Sequence, residues 1–350
     1  MKTHTLIYRS SFIICALLFL VNTLFAQAPP IEWQNTIGGS GYEDMRSLEQ
    51  TSDGGYIMGG VSNSPISGDK TEAAWPGGPN GFDFWIVKLH ADGTIAWQNT
   101  IGGTNDDYLY VVKQTPDGGY ICGGYSASGI SGDKTEASMG GKDYWIIKLD
   151  ALGAIVWQNT IGGSLDDILY DITNTSDGGY LLGGYSYSSI SGDKTENNTG
   201  AFTTSDYWVI KLNGDGTIAW QNTIGGTSQD YLYKVITLAD GGFLLGGTSY
   251  SGLNGDKTEA SMGGADYWII KINSTGSIVW QNGIGGSSND NFRSFDLTTD
   301  GGYIVAGDSR SLFSGDKTET TYDNVTFYSD FWILKLNSTG GIVWQNDIGS

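Results

Sequence analysis

The tripeptide Trp-Gln-Asn recurs six times, beginning at Trp33, Trp97, Trp157, Trp220, Trp280 and Trp344, with successive spacings of 64, 60, 63, 60 and 64 residues. Asp-Gly-Gly begins at Asp53, Asp117, Asp177, Asp240 and Asp300. Gly-Asp-Lys-Thr-Glu places its aspartate at Asp69, Asp133, Asp193, Asp256 and Asp316. Asp-(Phe/Tyr)-Trp places its tryptophan at Trp85, Trp145, Trp208, Trp268 and Trp332. Five copies of one unit are therefore written in register, and a period of this length marks a repeat architecture. Trp75 alone of the twelve tryptophans falls outside the register. The stretch from Gly-Asp-Lys to Asp-(Phe/Tyr)-Trp is the only one whose length changes, which confines insertion to a single loop.

Each unit reads as four short strands. In the second they are Tyr108–Lys113, Tyr120–Tyr125, Asp143–Leu149 and Ile155–Ile161, with a turn at Asp117-Gly118-Gly119, where glycine supplies positive φ cheaply. In the third strand Trp145, Ile147 and Leu149 share one face, and Tyr144, Ile146 and Lys148 the other. Both faces are largely apolar, so both must be covered. Sheets stacked between like sheets meet that demand, which predicts an all-β β-propeller of four-stranded blades, with a solenoid as the runner-up. Five blades are expected, closed into a ring, with the sixth Trp-Gln-Asn copy (Ile31 to Gly38) as a surplus N-terminal strand competing with Ile342 to Ile348 for one blade's outer edge. A six-bladed ring lacking most of a blade is the alternative.

Residues 1–26 read as a signal peptide. Lys2, His4 and Arg9 make a basic start, Ser11 to Phe25 is mostly apolar, and Ala26-Gln27-Ala28 offers a small-residue cleavage site. Residues 27–350 hold the propeller, and no other apolar run approaches membrane-spanning length. A secreted or outer-surface, monomeric chain is expected. Its net charge of −20 opposes binding to nucleic acid and to anionic lipid. Collagen is excluded because the 54 glycines follow no three-residue period and there are only 6 prolines. Past residue 26 there remain one cysteine, Cys122, and one histidine, His90, so neither an intramolecular disulfide nor a multi-histidine zinc site is available. His90 is expected in an exposed turn and Cys122 in the core.

The run Gly123-Gly124, then Tyr144-Trp145, then Trp157 loosely resembles kelch repeats. Over Ile31 to Ser350 the pattern Asp-Gly-Gly-Tyr, Asp-Tyr-Trp-Ile-Ile-Lys-Leu and Trp-Gln-Asn-Thr-Ile-Gly-Gly is similar to secreted propeller-like repeats of the Bacteroidota type. That resemblance implies surface or extracellular placement and no settled activity.

Among the motifs, the Gly-Asp-Lys-Thr-Glu loop reads as a turn whose lysine neutralises nearby carboxylates. Ca²⁺ binding there is the weaker option, because no calcium-loop spacing is present. The Asp-Gly-Gly aspartates read as turn formers. Asp106, Asp107, Asp166, Asp167 and Asp230 read as caps for amides of the loops between blades, with cation binding again the weaker option. No catalytic set and no cofactor are expected. The variable loop carries Trp75 and Phe82 in the first unit, Phe202 in the third, and Tyr322, Phe327 and Tyr328 in the fifth. Insertions in repeat folds cluster on a binding face, so these six aromatics are the candidate ligand contacts. The expected function is a non-catalytic module binding a glycan or a protein through them, with folding of these side chains over the blade tops as the competing outcome. The alternatives are a carbohydrate-active enzyme using two carboxylates, for which the non-repeated acids include Glu43, Asp44 and Asp323, or a purely structural surface module.

Overall fold

The computed structural model describes residues 29–201, 203–321 and 328–349, so Phe202, Tyr322, Asp323, Phe327 and the expected signal peptide lie outside the described residues. The chain divides into Met1–Gln34 and Asn35–Ser350. Residues 29–34 of the first unit carry no strand.

The second unit holds five four-stranded antiparallel sheets in a propeller-like arrangement, each contributed by one repeat. The first blade is β1 (Glu43–Gln50), β2 (Tyr56–Ser62), β3 (Asp83–Leu89) and β4 (Ile95–Ile101). The second is β5 (Asp107–Gln114), β6 (Tyr120–Ser126), β7 (Asp143–Leu149) and β8 (Ile155–Ile161). The third is β9 (Asp167–Asn174), β10 (Tyr180–Ser186), β11 (Asp206–Leu212) and β12 (Ile218–Ile224). The fourth is β13 (Asp230–Thr237), β14 (Phe243–Ser249), β15 (Asp266–Ile272) and β16 (Ile278–Ile284). The fifth is β17 (Asp290–Leu297), β18 (Tyr303–Ser309), β19 (Asp330–Leu336) and β20 (Ile342–Ile348). Among the described residues there is no helix long and apolar enough to cross a membrane.

First strands of successive blades touch one another, whereas the fourth strands form the outer edges. The first strands therefore line an inner channel, left open among the described residues where the first and fifth blades make no such contact. The two faces expected for β7 separate as the alternation requires: Trp145, Ile147 and Leu149 pack with Phe84 and Ile86 of the first blade, and Tyr144 and Ile146 pack with Trp208 and Ile210 of the third. The Trp208 ring lies 5.0 Å from Tyr144, and the Trp268 ring 5.0 Å from Tyr207. Trp145, Trp208, Trp268 and Trp332, each in the middle of a third strand, are thus the plugs of the four blade-to-blade interfaces.

Every first strand carries one residue more than its partner second strand at the same place. Leu109 faces Gly124 and Val111 faces Gly123, which leaves Tyr110 unpaired in the ladder. Arg46, Tyr170, Tyr233 and Arg293 are skipped in the same way. Such a bulge bends the strand and re-aims the extra side chain, here toward the channel. It also presses the bulged strand onto its neighbour: a Cβ at Gly124 would fall inside the contact radius of the Tyr108 carbonyl oxygen. That close approach is why the second glycine of each Gly-Gly pair is needed. The first glycine answers to the next blade, since a Cβ at Gly59 would come 2.8 Å from Leu109 Cδ2. In the fifth blade this position is Ala306.

The two end blades differ from the inner three. Among the described residues, the first and fifth blades do not pack on each other as neighbouring blades do. Phe331 is 70% exposed, while Phe84, Tyr144, Tyr207 and Tyr267 at the same register are fully buried. Met45 and Leu48 are 55% and 57% exposed, while Leu109 and Val112 are buried. The segment expected as a surplus strand forms no strand. From Asn35 onward it lies along the first blade, and among the described residues no third strand lies beside it to supply a ladder.

Candidate functional site

The unit-specific chemistry gathers at one end of the channel, where first strands begin and second strands end. The bulge residues of the first four blades form a ladder of contacts along it. The Arg46 guanidinium lies 5.6 Å from the Tyr110 ring, Tyr110 stacks on Tyr170 at 4.5 Å, and Tyr170 meets Tyr233 edge-on at 5.0 Å. A second tier of tyrosines supports the first: Tyr108 stacks on Tyr125 at 5.0 Å, and Tyr185 meets Tyr231 at 4.8 Å. Burial lifts the Tyr233 phenol to about 12, with the positive charge of Arg293 pulling the other way. Burial likewise raises Tyr110, Tyr125 and Tyr185, so all four stay neutral at physiological pH and act as stacking faces and hydrogen-bond donors.

The ladder ends in charge on both sides. In the first blade Arg46 pairs with Asp44 at 2.5 Å. In the fifth, Arg293 Nε donates to Asp308 at 2.8 Å, and Asn291 Nδ2 donates to the same carboxylate at 2.9 Å. Asp44 stands where Tyr108 and Tyr231 stand in other units, and Asp308 where Tyr125 and Tyr185 stand. The repeat builds a symmetric mouth, and substitution at matching positions makes it asymmetric: three tyrosine-lined blades flanked by two acid–arginine blades.

The expected ligand contacts divide. Phe82 belongs to this mouth, at 5.2 Å from Tyr108 and 5.5 Å from Tyr42. Tyr328, an exposed residue, borders a cleft with Arg293, Asp308 and Arg310. Trp75 instead folds onto the next blade: its Nε1 donates to Asp133 at 3.0 Å, and its ring covers Gly132. Met139 and Met262 cover Gly192 and Gly315 in the same way, so at this position the side chain straps one blade to the next. The ladder tyrosines and Asp308 were not singled out from the sequence; the signal was present as tyrosine at one register position in three units and arginine in two.

The Gly-Asp-Lys-Thr-Glu lysines depart from the surface role expected. Lys70, Lys134, Lys194, Lys257 and Lys317 are buried and sit 4.9 to 5.8 Å from the ring centres of Trp85, Trp145, Trp208, Trp268 and Trp332. Lys70, Lys134 and Lys194 also donate to Thr100, Thr160 and Thr223. A tryptophan face and a hydroxyl compensate the lost hydration of the ammonium. The Asp-Gly-Gly aspartates are turn formers as expected, with Asp117 Oδ1 accepting from Gly119 N at 3.0 Å, and they pair with the third-strand lysine, as Lys148 does with Asp117 at 2.9 Å. Asp107 caps a linker amide, accepting from Gly103 N at 2.6 Å. Glu43 takes the role of Asp107 in the first blade, accepting from Ser62 and Ser64. His90 is exposed and Cys122 is buried, with its thiol pushed up by burial.

These buried carboxyls set a pH response. Burial raises Asp83 to about 8, Asp167 and Asp206 to about 7, and Asp107 to about 6. Their folded forms hold protons that the unfolded chain releases from about pH 4 upward, so stability falls as pH rises through 6 to 8. Hydrogen bonds from Thr175 and Lys211 hold Asp177 at about 2, despite a smaller opposing contribution from desolvation, and this stability is lost as pH falls below about 4. Urea unfolding is therefore expected to show a higher midpoint at pH 5 than at pH 8. Equal midpoints would contradict the buried protonated carboxyls.

No protein-family model and no curated protein matches this sequence. Solved structures do align with it. Hydrazine synthase of Kuenenia stuttgartiensis aligns over 90% of this chain and 68% of its own, at 12% identity and a TM-score of 0.48. A cobalt-substituted apocarotenoid oxygenase of Synechocystis aligns over 87% of this chain and 62% of its own, at 10% identity and a TM-score of 0.45. Likeness at this level carries no activity over to this chain. The expectations of a non-catalytic module and of a chain without a cofactor find no support in these neighbours, which are enzymes by name, one of them cobalt-substituted. Among the described residues no group of three or more His, Cys, Asp or Glu side chains is placed to hold a metal ion, so no residue here is assigned to one, and the calcium option finds no ligand set.

Proposed function

We infer that the chain is an exported carbohydrate-active enzyme that holds its substrate at the tyrosine-lined mouth of the channel, with Asp44 and Asp308 as the candidate carboxylate pair. The observation that carries this reading is the asymmetry of the mouth. A repeat protein that served only as scaffold has no need to replace tyrosine by an acid–arginine pair in its first and last blades alone. Neutral phenol rings offer flat faces to the apolar side of a pyranose, and their hydroxyls reach its oxygens. Glycoside hydrolysis asks for two carboxylates in different surroundings, one to give a proton and one to stabilise or attack the sugar cation. Asp308 is held by an arginine and an asparagine, Asp44 by an arginine alone, which supports unequal roles. The apolar run Ser11 to Phe25, with its basic start, and the resemblance to secreted Bacteroidota repeats support export.

The test is reducing-end release from a panel of polysaccharides. Asp308→Asn and Asp44→Asn are each expected to lower kcat by about 100-fold or more, while Tyr170→Ala raises KM with a smaller change in kcat. Turnover untouched by both carboxamide variants, or no turnover of any glycan in the panel, would overturn the reading.

A further inference from the structure

The two end faces and the N-terminal segment point to one missing partner. On the fifth blade, Phe331, Ile304 and Ile348 occupy the positions that Phe84, Ile57 and Ile101 occupy on the first, where they pack against the second blade. On the first blade, Met45, Leu48, Met58 and Trp85 occupy the positions of Leu109, Val112, Cys122 and Trp145, which pack against the blade before. The faces are therefore the two halves of the interface already made four times within this chain, and each lacks its other half.

The segment after Asn35 says what fits between them. Asn35 Nδ2 donates to the Gly93 carbonyl at 3.0 Å, as Asn159 donates to Gly216 and Asn222 to Gly276. Asp69 N donates to the Gly38 carbonyl at 2.9 Å, as Asp133 does to Gly102 and Asp193 to Gly162. Gly41 N donates to Ser64 Oγ at 2.6 Å, as Asn105 N does to Ser128. Ile37 packs against Trp85, Val87 and Leu89 as Ile101 packs against Trp145, Ile147 and Leu149. Asn35 to Gly41 thus repeats these contacts of the end of a fourth strand with the following blade, while among the described residues the three strands that accompany a fourth strand elsewhere are absent beside it. A second copy docking through its fifth blade would bring its own β20 into the place this segment already fills. Three strands without a fourth meet no such conflict.

We propose that the gap between the fifth and first blades takes a sixth repeat of three antiparallel strands, completed by the N-terminal segment as its fourth strand. Ala306 accords with this: the incoming first strand needs a smaller residue there than the Leu109 and Val112 that crowd Gly59. The inference is independent of the proposed activity, and loss of either leaves the other standing.

A chain bearing Ala306→Gly, so that the incoming leucine and valine meet glycine as Leu109 and Val112 meet Gly59, and extended after Ser350 by a further copy of residues 104–149, tests it. Compared with the native chain, the extended chain is expected to unfold at higher urea, to bind less of an apolar dye such as ANS, and to lose its gain when residues 27–42 are removed. Phe331→Ala is expected to shift the midpoint much more in the extended chain than in the native one, which keeps the test readable if the shortened chain fails to fold. An unchanged midpoint and dye signal in the extended chain would overturn the proposal. So would head-to-tail assembly of the native chain dispersed by Phe331→Asp, which would make a second copy the occupant.

Discussion

Tyr207→Ala is expected to cost about 3–5 kcal/mol of stability, while Phe331→Ala at the same register costs about 1 kcal/mol or less. Tyr207 is fully buried against Trp268, and its hydroxyl donates to the Trp268 carbonyl at 3.2 Å, so truncation opens a cavity and strands a buried acceptor. Phe331 carries the matching ring on the fifth blade and is largely exposed, so little burial is lost with it. Repeat proteins draw stability from each unit and from each interface with a neighbour, and the pair of variants separates the two contributions. Urea unfolding of both, read by tryptophan fluorescence, checks it. A cost for Phe331→Ala equal to that for Tyr207→Ala would mean that the end face is covered in solution.

Gly124→Ala is expected to cost about 3 kcal/mol, while Ala306→Gly costs no more than about 1 kcal/mol. A methyl at Gly124 collides with the carbonyl oxygen of Tyr108 and approaches the Leu109 Cα, and both are backbone that cannot swing aside. The strand must then either straighten its bulge, which would turn Tyr110 away from Tyr170, or lose ladder pairing. A near-UV circular dichroism change in the tyrosine region should therefore accompany the loss of stability. Gly124→Ala tolerated with an unchanged tyrosine spectrum would contradict the bulge.

The scaffold was legible because it is periodic. The third and fourth strands of the second unit, Asp143–Leu149 and Ile155–Ile161, match the expected spans, and the alternation of Trp145 with Tyr144 assigned their faces. The bulge was not legible, because a two-residue alternation places Tyr108 and Tyr110 on one face and has no means of showing that one residue is extra. The ladder went unseen for that reason, although its tyrosines were in view. The lysines of Gly-Asp-Lys were expected to neutralise the carboxylates near their turn; their cover is a tryptophan of the same repeat, 12 to 16 residues downstream of the aspartate, and only the fold brings the two together. Trp75 stood out as the tryptophan outside the register, yet it fills the place that methionine fills in two other units. What distinguishes the mouth is substitution at matching positions, Asp44 and Asp308 for tyrosine, rather than the insertions in the variable loop.

The bulge residues of neighbouring blades are expected to converge along the inner channel. This convergence can be tested with a chain lacking residues 1–26 and bearing Tyr170→Cys and Tyr233→Cys, in which the native Cys122 is buried and out of reach. A short bismaleimide is expected to join positions 170 and 233 within one molecule, seen as a single intramolecular adduct by mass spectrometry, because these rings lie 5.0 Å apart across the two strands. Two separate adducts with no bridge, formed on a folded chain, would contradict it.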